Sequence, residues 1–121
     1  MKSNVVIVED DTWLASSYAR NLRRAGYDTH HASSALEAID VIDTVRPQVV
    51  VLDVLLTGVT ALALLHELQS HADLANIPII LATSAADMIT LDDVAGYGVR
   101  EIIDKSTMHP DDIVAAVRGV A

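Results

Sequence analysis

Three short runs of unbroken apolar residues constrain this chain more than anything else in it. Val5-Val6-Ile7-Val8 (after Asn4), Val49-Val50-Val51-Leu52 and Ile79-Ile80-Leu81-Ala82 show no alternation with polar residues. A strand with one wet face alternates, whereas a short β-branched run without alternation suits a strand covered on both faces. Each run stops abruptly at polar residues: Glu9-Asp10-Asp11, Asp53, and Thr83-Ser84. Tyr27 to Ala32 is a more polar strand, and a fifth is expected around Glu101 to Ile103.

Helical spacing fills the gaps. Leu14, Tyr18, Leu22 and Ala25 recur on one face until Gly26 stops them. Ser34 and Glu37 make a capping-box pattern for a helix with Leu36, Ile39 and Ile42 on its apolar face, and Pro47 breaks it. A helix is expected over roughly Leu62 to Ser70, and another near Ala86 to Ala95. Gly96-Tyr97-Gly98 turns the chain into the fifth strand. Pro110, with Asp111 and Asp112 in the first turn, opens the last helix.

Strand and helix thus alternate five times. Crossovers of this length force parallel pairing with helices on both faces. The expected fold class is α/β: a five-stranded parallel, doubly wound sheet of flavodoxin-like order 2-1-3-4-5 with five helices. At 121 residues and 51% hydrophobic content the chain has room for one domain, 1–121, with a core that needs no staples. There is no cysteine, which excludes disulfides, thiolate metal sites and cysteine nucleophiles and fits a cytoplasmic setting. Eight basic against seventeen acidic residues give a formal charge of −9, so direct nucleic-acid binding is not expected. The first ten residues are too short an apolar stretch for a signal peptide or a spanning helix, and no membrane role is expected.

In doubly wound sheets ligands sit at the carboxyl ends of the strands. Those ends hold Glu9 and Asp10, then Asp53, then Thr83 and Ser84, with Lys105 after the fifth strand. Two carboxylates about 4 Å apart repel by roughly 4 kcal/mol at an effective dielectric of 20, so a cation must offset them. Oxygen ligands without imidazole or thiolate favour a hard ion, magnesium or calcium. Three carboxylates, one divalent ion and one lysine sum to zero charge. Taken singly, each acid also fits an ordinary polar loop or helix cap; it is the set on separate strand ends that points to a site.

Val8-Glu9-Asp10, Val50-Val51-Leu52-Asp53, Pro78-Ile79-Ile80-Leu81-Ala82-Thr83 and Lys105 together resemble the receiver domain of bacterial two-component response regulators. The resemblance covers essentially the whole chain, and the spacings from Asp53 to Thr83 and from Thr83 to Lys105 match the family's pattern. It implies that Asp53 accepts a phosphoryl group from a histidine kinase, a phosphotransfer protein or a small acyl phosphate. It implies Mg2+ as cofactor, held by Asp10, Glu9, Asp53 and the backbone carbonyl of Leu55. Lys105 would pair with the phosphoryl oxygens, and Thr83 would turn its hydroxyl onto them. Partners would be a downstream effector protein or output domain, and a second copy of the chain in a homodimer.

Several positions depart from the family pattern. Thr57 and Ala61 stand where a proline and a glycine are usual after the phosphoacceptor, although Gly58 is kept. Ser106 follows Lys105 in place of a proline, which predicts a trans bond, because a cis bond without proline costs about 2.5–4 kcal/mol. Ile102 replaces the aromatic residue that swings with the hydroxyl residue, and a β-branched side chain is too stiff to do so. Leu55 and Ala85 are apolar where fast members place polar groups beside the hydrolytic water, so slow self-dephosphorylation is expected.

The remaining candidates are weaker. His30 and His31 face opposite sides of a strand, and His66 and His71 are badly spaced on a helix, so neither pair binds one metal. His109 precedes the last helix, Asp11 is expected to cap the first, and Asp104 to face solvent. Arg20, Arg23 and Arg24 form either a docking patch or a solvated helix face. Ser84 competes with Thr83 for the switch position. Three functions are compatible with the sequence: a phosphoacceptor signalling domain that is not an enzyme, a receiver-like docking or dimerisation module with little phosphotransfer, and a magnesium-dependent phosphatase. The last lacks a second acid at Val54 or Leu55 to serve a leaving group.

Overall fold

The structure is a computed structural model that describes residues 3–53, 61–84 and 90–120. Five strands, β1 (Asn4–Val8), β2 (Asp28–Ala32), β3 (Val49–Asp53), β4 (Ile79–Thr83) and β5 (Val99–Asp104), form one sheet in the order β2-β1-β3-β4-β5. Every pairing is parallel, with Val5 opposite Val49, Leu52 opposite Leu81 and Thr83 opposite Asp104. The helices are α1 (Thr12–Arg24), α2 (Ala35–Val45), α3 (Ala61–Ser70), α4 (Leu91–Val94) and α5 (Pro110–Val120). The expected fold class and strand order are what the structure shows.

Strand alternation sorts the core into two layers. Val6, Val8, Val50, Leu52, Ile79 and Leu81 face a cluster completed by Ala38 and Ile42 of α2 and by Leu64 and Leu68 of α3. Val5, Ile7, Val49, Val51, Ile80 and Ala82 face the opposite cluster, completed by Tyr18 and Leu22 of α1 and by Ile113 and Val117 of α5. β1, β3 and β4 are buried on both faces, which is why their sequences do not alternate.

The helix ends follow local chemistry. Asp11 caps α1, its carboxylate accepting from the N–H groups of Trp13 (3.0 Å) and Leu14 (3.1 Å). At the other end Gly26 adopts φ 99°, and Tyr27 N–H reaches back to the Leu22 carbonyl at 3.0 Å, a Schellman closure that favours glycine. Ser34 accepts from Glu37 N–H at 3.2 Å, while the Glu37 carboxylate accepts from Ser33 Oγ. Only half of the expected capping box therefore forms.

Two expectations need correction. Leu36 is 79% exposed and does not belong to the buried face of α2. Ser34 as N-cap fixes the phase of the helix, and the buried stripe runs Ala35, Ala38, Ile42, one residue out of step with Leu36. The helix expected near Ala86 to Ala95 is interrupted at Thr90, and residues 86–89 lie outside the described residues. Thr90 is extended and starts a single helical turn, locked by a reciprocal box in which Thr90 Oγ accepts from Asp93 N–H and the Asp93 carboxylate accepts from Thr90 N–H. The carboxylate of Asp93 is held below its usual range by those bonds. Ala95–Tyr97 then continues as a 3-10 turn that Gly98 ends at φ 85°. β5 carries a register shift opposite Ile79 and Ile80, where Val99 and Glu101 are the successive partners. The extra residue, Arg100, changes the parity of the strand, so that Val99 and Ile102 both meet the α2–α3 layer.

Candidate functional site

Glu9 continues the alternation of Val5 and Ile7, Asp53 that of Val49 and Val51, and Lys105 that of Ile103. All three therefore leave their strands on the side covered by α1 and α5, at the carboxyl edge beside the reversal of strand order. Their side chains converge. Lys105 Nζ lies 2.5 Å from Glu9 Oε1 and 3.1 Å from Asp53 Oδ1. Glu9 is 1% exposed and Asp53 5% exposed, whereas Asp10 stands at the open rim. Thr83 is fully buried and its carbonyl accepts from Lys105 N–H at 3.0 Å; its neighbour Ser84 is exposed.

The electrostatics are those of an acid pair sharing one cation. Burial, reinforced by hydrogen bonding to Asp53 and by its charge, pushes the Glu9 carboxyl up to about 7 against the pull of Lys105. Burial works against the Lys105 cation, but its bond to Glu9 and the charge of Asp53 outweigh this and hold the ammonium above its usual range. Glu9, Asp10 and Asp53 each offer a carboxylate oxygen, and these lie within 4.8 Å of one another. Oxygens around one six-coordinate divalent ion are separated by up to about 4–5 Å, so the donor set fits a hard cation in type and spacing.

Other residues singled out in the sequence do not join this group. Asp104 accepts from Ser106 N–H (2.9 Å) and Ser106 Oγ (2.6 Å), which lower its pKa and close a turn. Among the described residues no peptide bond is cis, so Lys105–Ser106 is trans. His30 bonds the Asn4 side chain (3.1 Å) and His31 the Glu9 carbonyl (2.7 Å), tying β2 to β1. His71 lies beyond α3 and meets Glu67 at 3.3 Å. His66 meets the Tyr97 hydroxyl at 2.9 Å with the rings edge to face, and His109 donates its N–H to Asp112 at 2.7 Å. Arg20, Arg23 and Arg24 are exposed. Leu55, Val54, Thr57, Gly58 and Ala85 lie outside the described residues.

Two features of the site escaped the sequence reading. The depth of Glu9 relative to Asp10 is encoded by parity, since Glu9 alone continues the inward set of β1. Tyr18 was legible only as part of the apolar stripe of α1. Its hydroxyl is the one buried side-chain polar atom without a hydrogen-bond partner among the described residues.

A parallel five-stranded sheet with an acidic trio and a lysine at its carboxyl edge defines a class, and comparison with known proteins agrees. The family model of the response regulator receiver domain matches residues 5–118. This chain belongs to the response regulator receiver family. It is 30% identical over 120 residues, 98% of its length, to the DNA-binding response regulator MtrA of Mycolicibacterium paratuberculosis, and covers 51% of that protein. The chain thus spans about half the length of the curated relatives it matches. The signal receiver domain of a signal transduction histidine kinase from Syntrophus aciditrophicus is 27% identical, with a TM-score of 0.83 over 98% of this chain and 89% of that one. The chemotaxis response regulator CheY4 of Vibrio cholerae shares the fold at a TM-score of 0.89 and 18% identity, each chain fully covered. Among the described residues no helix is long and apolar enough to cross a membrane.

Proposed function

We propose that the chain is a phosphoacceptor switch of two-component signalling, with residues 1–121 as one receiver unit and Asp53 as the acceptor. The observation that carries this reading is the Lys105 ammonium bridging Asp53 and Glu9 at 3.1 and 2.5 Å in a buried pocket. A carboxylate oxygen of Asp53 attacks the phosphorus of the donor, forming a P–O bond. The donor's bond to phosphorus breaks, and its electron pair leaves with the histidine imidazole or the acyl carboxylate. In-line transfer of this kind needs positioning and charge neutralisation more than covalent help. Lys105 supplies a fixed cation for the phosphoryl oxygens.

Glu9, Asp10 and Asp53, with the Leu55 carbonyl that the resemblance implies, would hold Mg2+. The ion would add charge neutralisation at the phosphoryl oxygens. Thr83, buried beside Lys105, is suited to meet the phosphoryl group, and it pairs with Asp104 just beyond the Leu81–Ile102 pair of β4 and β5. Ile102 packs against the α2–α3 layer, which supports an output that does not use a swinging aromatic ring. Slow self-dephosphorylation belongs to the same reading. The partners would be a histidine kinase or phosphotransfer protein and an effector or output domain, in a cytoplasmic setting, with a homodimer as one form of output.

The test is intact mass after incubation with Mg2+ and a small acyl phosphate. One added phosphoryl group on the wild type and none on Asp53→Asn is the expected result. An equal adduct on both proteins would sink the assignment. No adduct on either, with Mg2+ binding confirmed, would favour the docking-module reading.

A further inference from the structure

Tyr18 is 2% exposed and its hydroxyl is unpartnered. It shares a buried cluster with the aliphatic residues Ile7, Leu22, Ile103, Ile113 and Val117. Burying a hydroxyl without a partner is costly, and phenylalanine would fill the same space without that cost. The core alone does not account for the oxygen.

The direction of the side chain does. Side chains of an α-helix lean toward its N-terminus. The N-terminus of α1 follows directly on the end of β1, at the carboxyl edge of the sheet. Tyr18 therefore rises from the layer between α1 and the sheet toward the edge where Glu9, Asp53 and Lys105 converge. Burial pushes its phenol up to about 12, and the charges that act on it are those of Lys105, Glu9, Asp53 and Asp11. It is a neutral hydroxyl beneath a charged site.

Lys105 has a use for such an acceptor. An ammonium carries three donors, and Glu9 and Asp53 account for two of them. If Glu9 turns to a metal ion and Asp53 carries a phosphoryl group, the ammonium loses its 2.5 Å partner and must be re-aimed. A phenol oxygen can accept from it without adding a further charge to the pocket.

We propose that Tyr18 is a positioning residue for Lys105, its hydroxyl oxygen accepting a hydrogen bond from the ammonium when Lys105 exchanges Glu9 for phosphoryl oxygens. The inference rests on the phosphoacceptor reading of the pocket. The hydroxyl is left unpaired in the resting form and paired in the loaded form, which biases the switch toward loading.

The test compares wild type with Tyr18→Phe, using Mg2+ and beryllofluoride as the phosphoryl mimic. Resting Tyr18→Phe should be at least as stable as wild type. Its affinity for the mimic should fall about tenfold, the size of one hydrogen bond to a charged group, with a smaller rise in melting temperature on loading. Tyr18→Leu, which also lacks the hydroxyl, should show the same loss of affinity. In a Lys105→Met background Tyr18→Phe should change mimic affinity no further. Wild-type affinity and an unchanged melting shift in Tyr18→Phe would overturn the inference alone, as would a full additional tenfold loss in the Lys105→Met background. A wild type that takes up neither the mimic nor a phosphoryl group would remove the phosphoacceptor reading, and this inference with it.

Discussion

The two faces of the sheet are written in the same alternating aliphatic code, yet they end differently. The face under α2 and α3 is built of Leu, Ile, Val and Ala up to Thr83 at the end of β4, and its polar contact between Tyr97 and His66 sits at the rim. The face under α1 and α5 continues past its last aliphatic residues into Glu9, Asp53 and Lys105, and it carries the buried phenol of Tyr18. One face is organised for stability. The other gives up part of its packing to hold charges whose balance can change. The charged centre sits on one side of the sheet, while Thr83, in the alternation of Ile79 and Leu81, and Ile102 stand on the other.

That contrast can be broken by comparing substitutions across it. Lys105→Met leaves Glu9 and Asp53 buried without their cation and should cost about 3–5 kcal/mol in chemical denaturation without metal. Added Mg2+ should restore most of this loss. Ile42→Ala, on the opposite face, should cost about 2–5 kcal/mol, and Mg2+ should restore none of it. Equal rescue of both variants, or of neither, would dissolve the distinction between the faces.

A smaller effect sharpens the role of Glu9. Its folded-state pKa is raised from 4.5 to about 7, so between those values the folded protein binds more protons than the unfolded chain. Stability from this group is fully present below pH 4.5 and is lost as pH rises to about 7, on the order of 1–3 kcal/mol. Lys105 is shifted upward at the alkaline end and does not contribute to that window. Glu9→Gln should flatten the slope, as should saturating Mg2+ on the wild type. Unfolding free energies measured across this pH range check both, and an unchanged slope in Glu9→Gln would assign the titration elsewhere. Smallest of all, Ser34→Ala should cost about 1 kcal/mol through the lost cap of α2, without any change in Mg2+ affinity.

Much of this architecture was legible because buried parallel strands leave a strong mark. Val5 to Val8, Val49 to Leu52 and Ile79 to Ala82 cannot be read as half-exposed strands, and Pro47, Gly26 and Pro110 punctuate the helices between them. The convergence of Glu9, Asp10, Asp53 and Lys105 followed from asking what stands at the strand ends. What stayed hidden depends on phase and depth. Leu36 looked buried until Ser34 fixed the phase of its helix. The parity change at Arg100 leaves no sign in composition, yet it decides that Ile102 packs inward. Thr90 and Asp93 have the spacing of a capping box, but they lie within a stretch whose apolar residues otherwise read as one helix. Tyr18 looked like a core residue because pattern records only that a position is apolar on average. The atom that matters is its one polar oxygen.

Every role proposed for this pocket turns on Asp53 taking a phosphoryl group. The most direct test is to map the modified residue, by reductive trapping and peptide mass analysis, after acyl phosphate treatment with and without Mg2+. Modification is expected at Asp53 alone, strongly dependent on Mg2+. Modification at Asp10 or outside the pocket, or at Asp53 with no dependence on the metal, would contradict it.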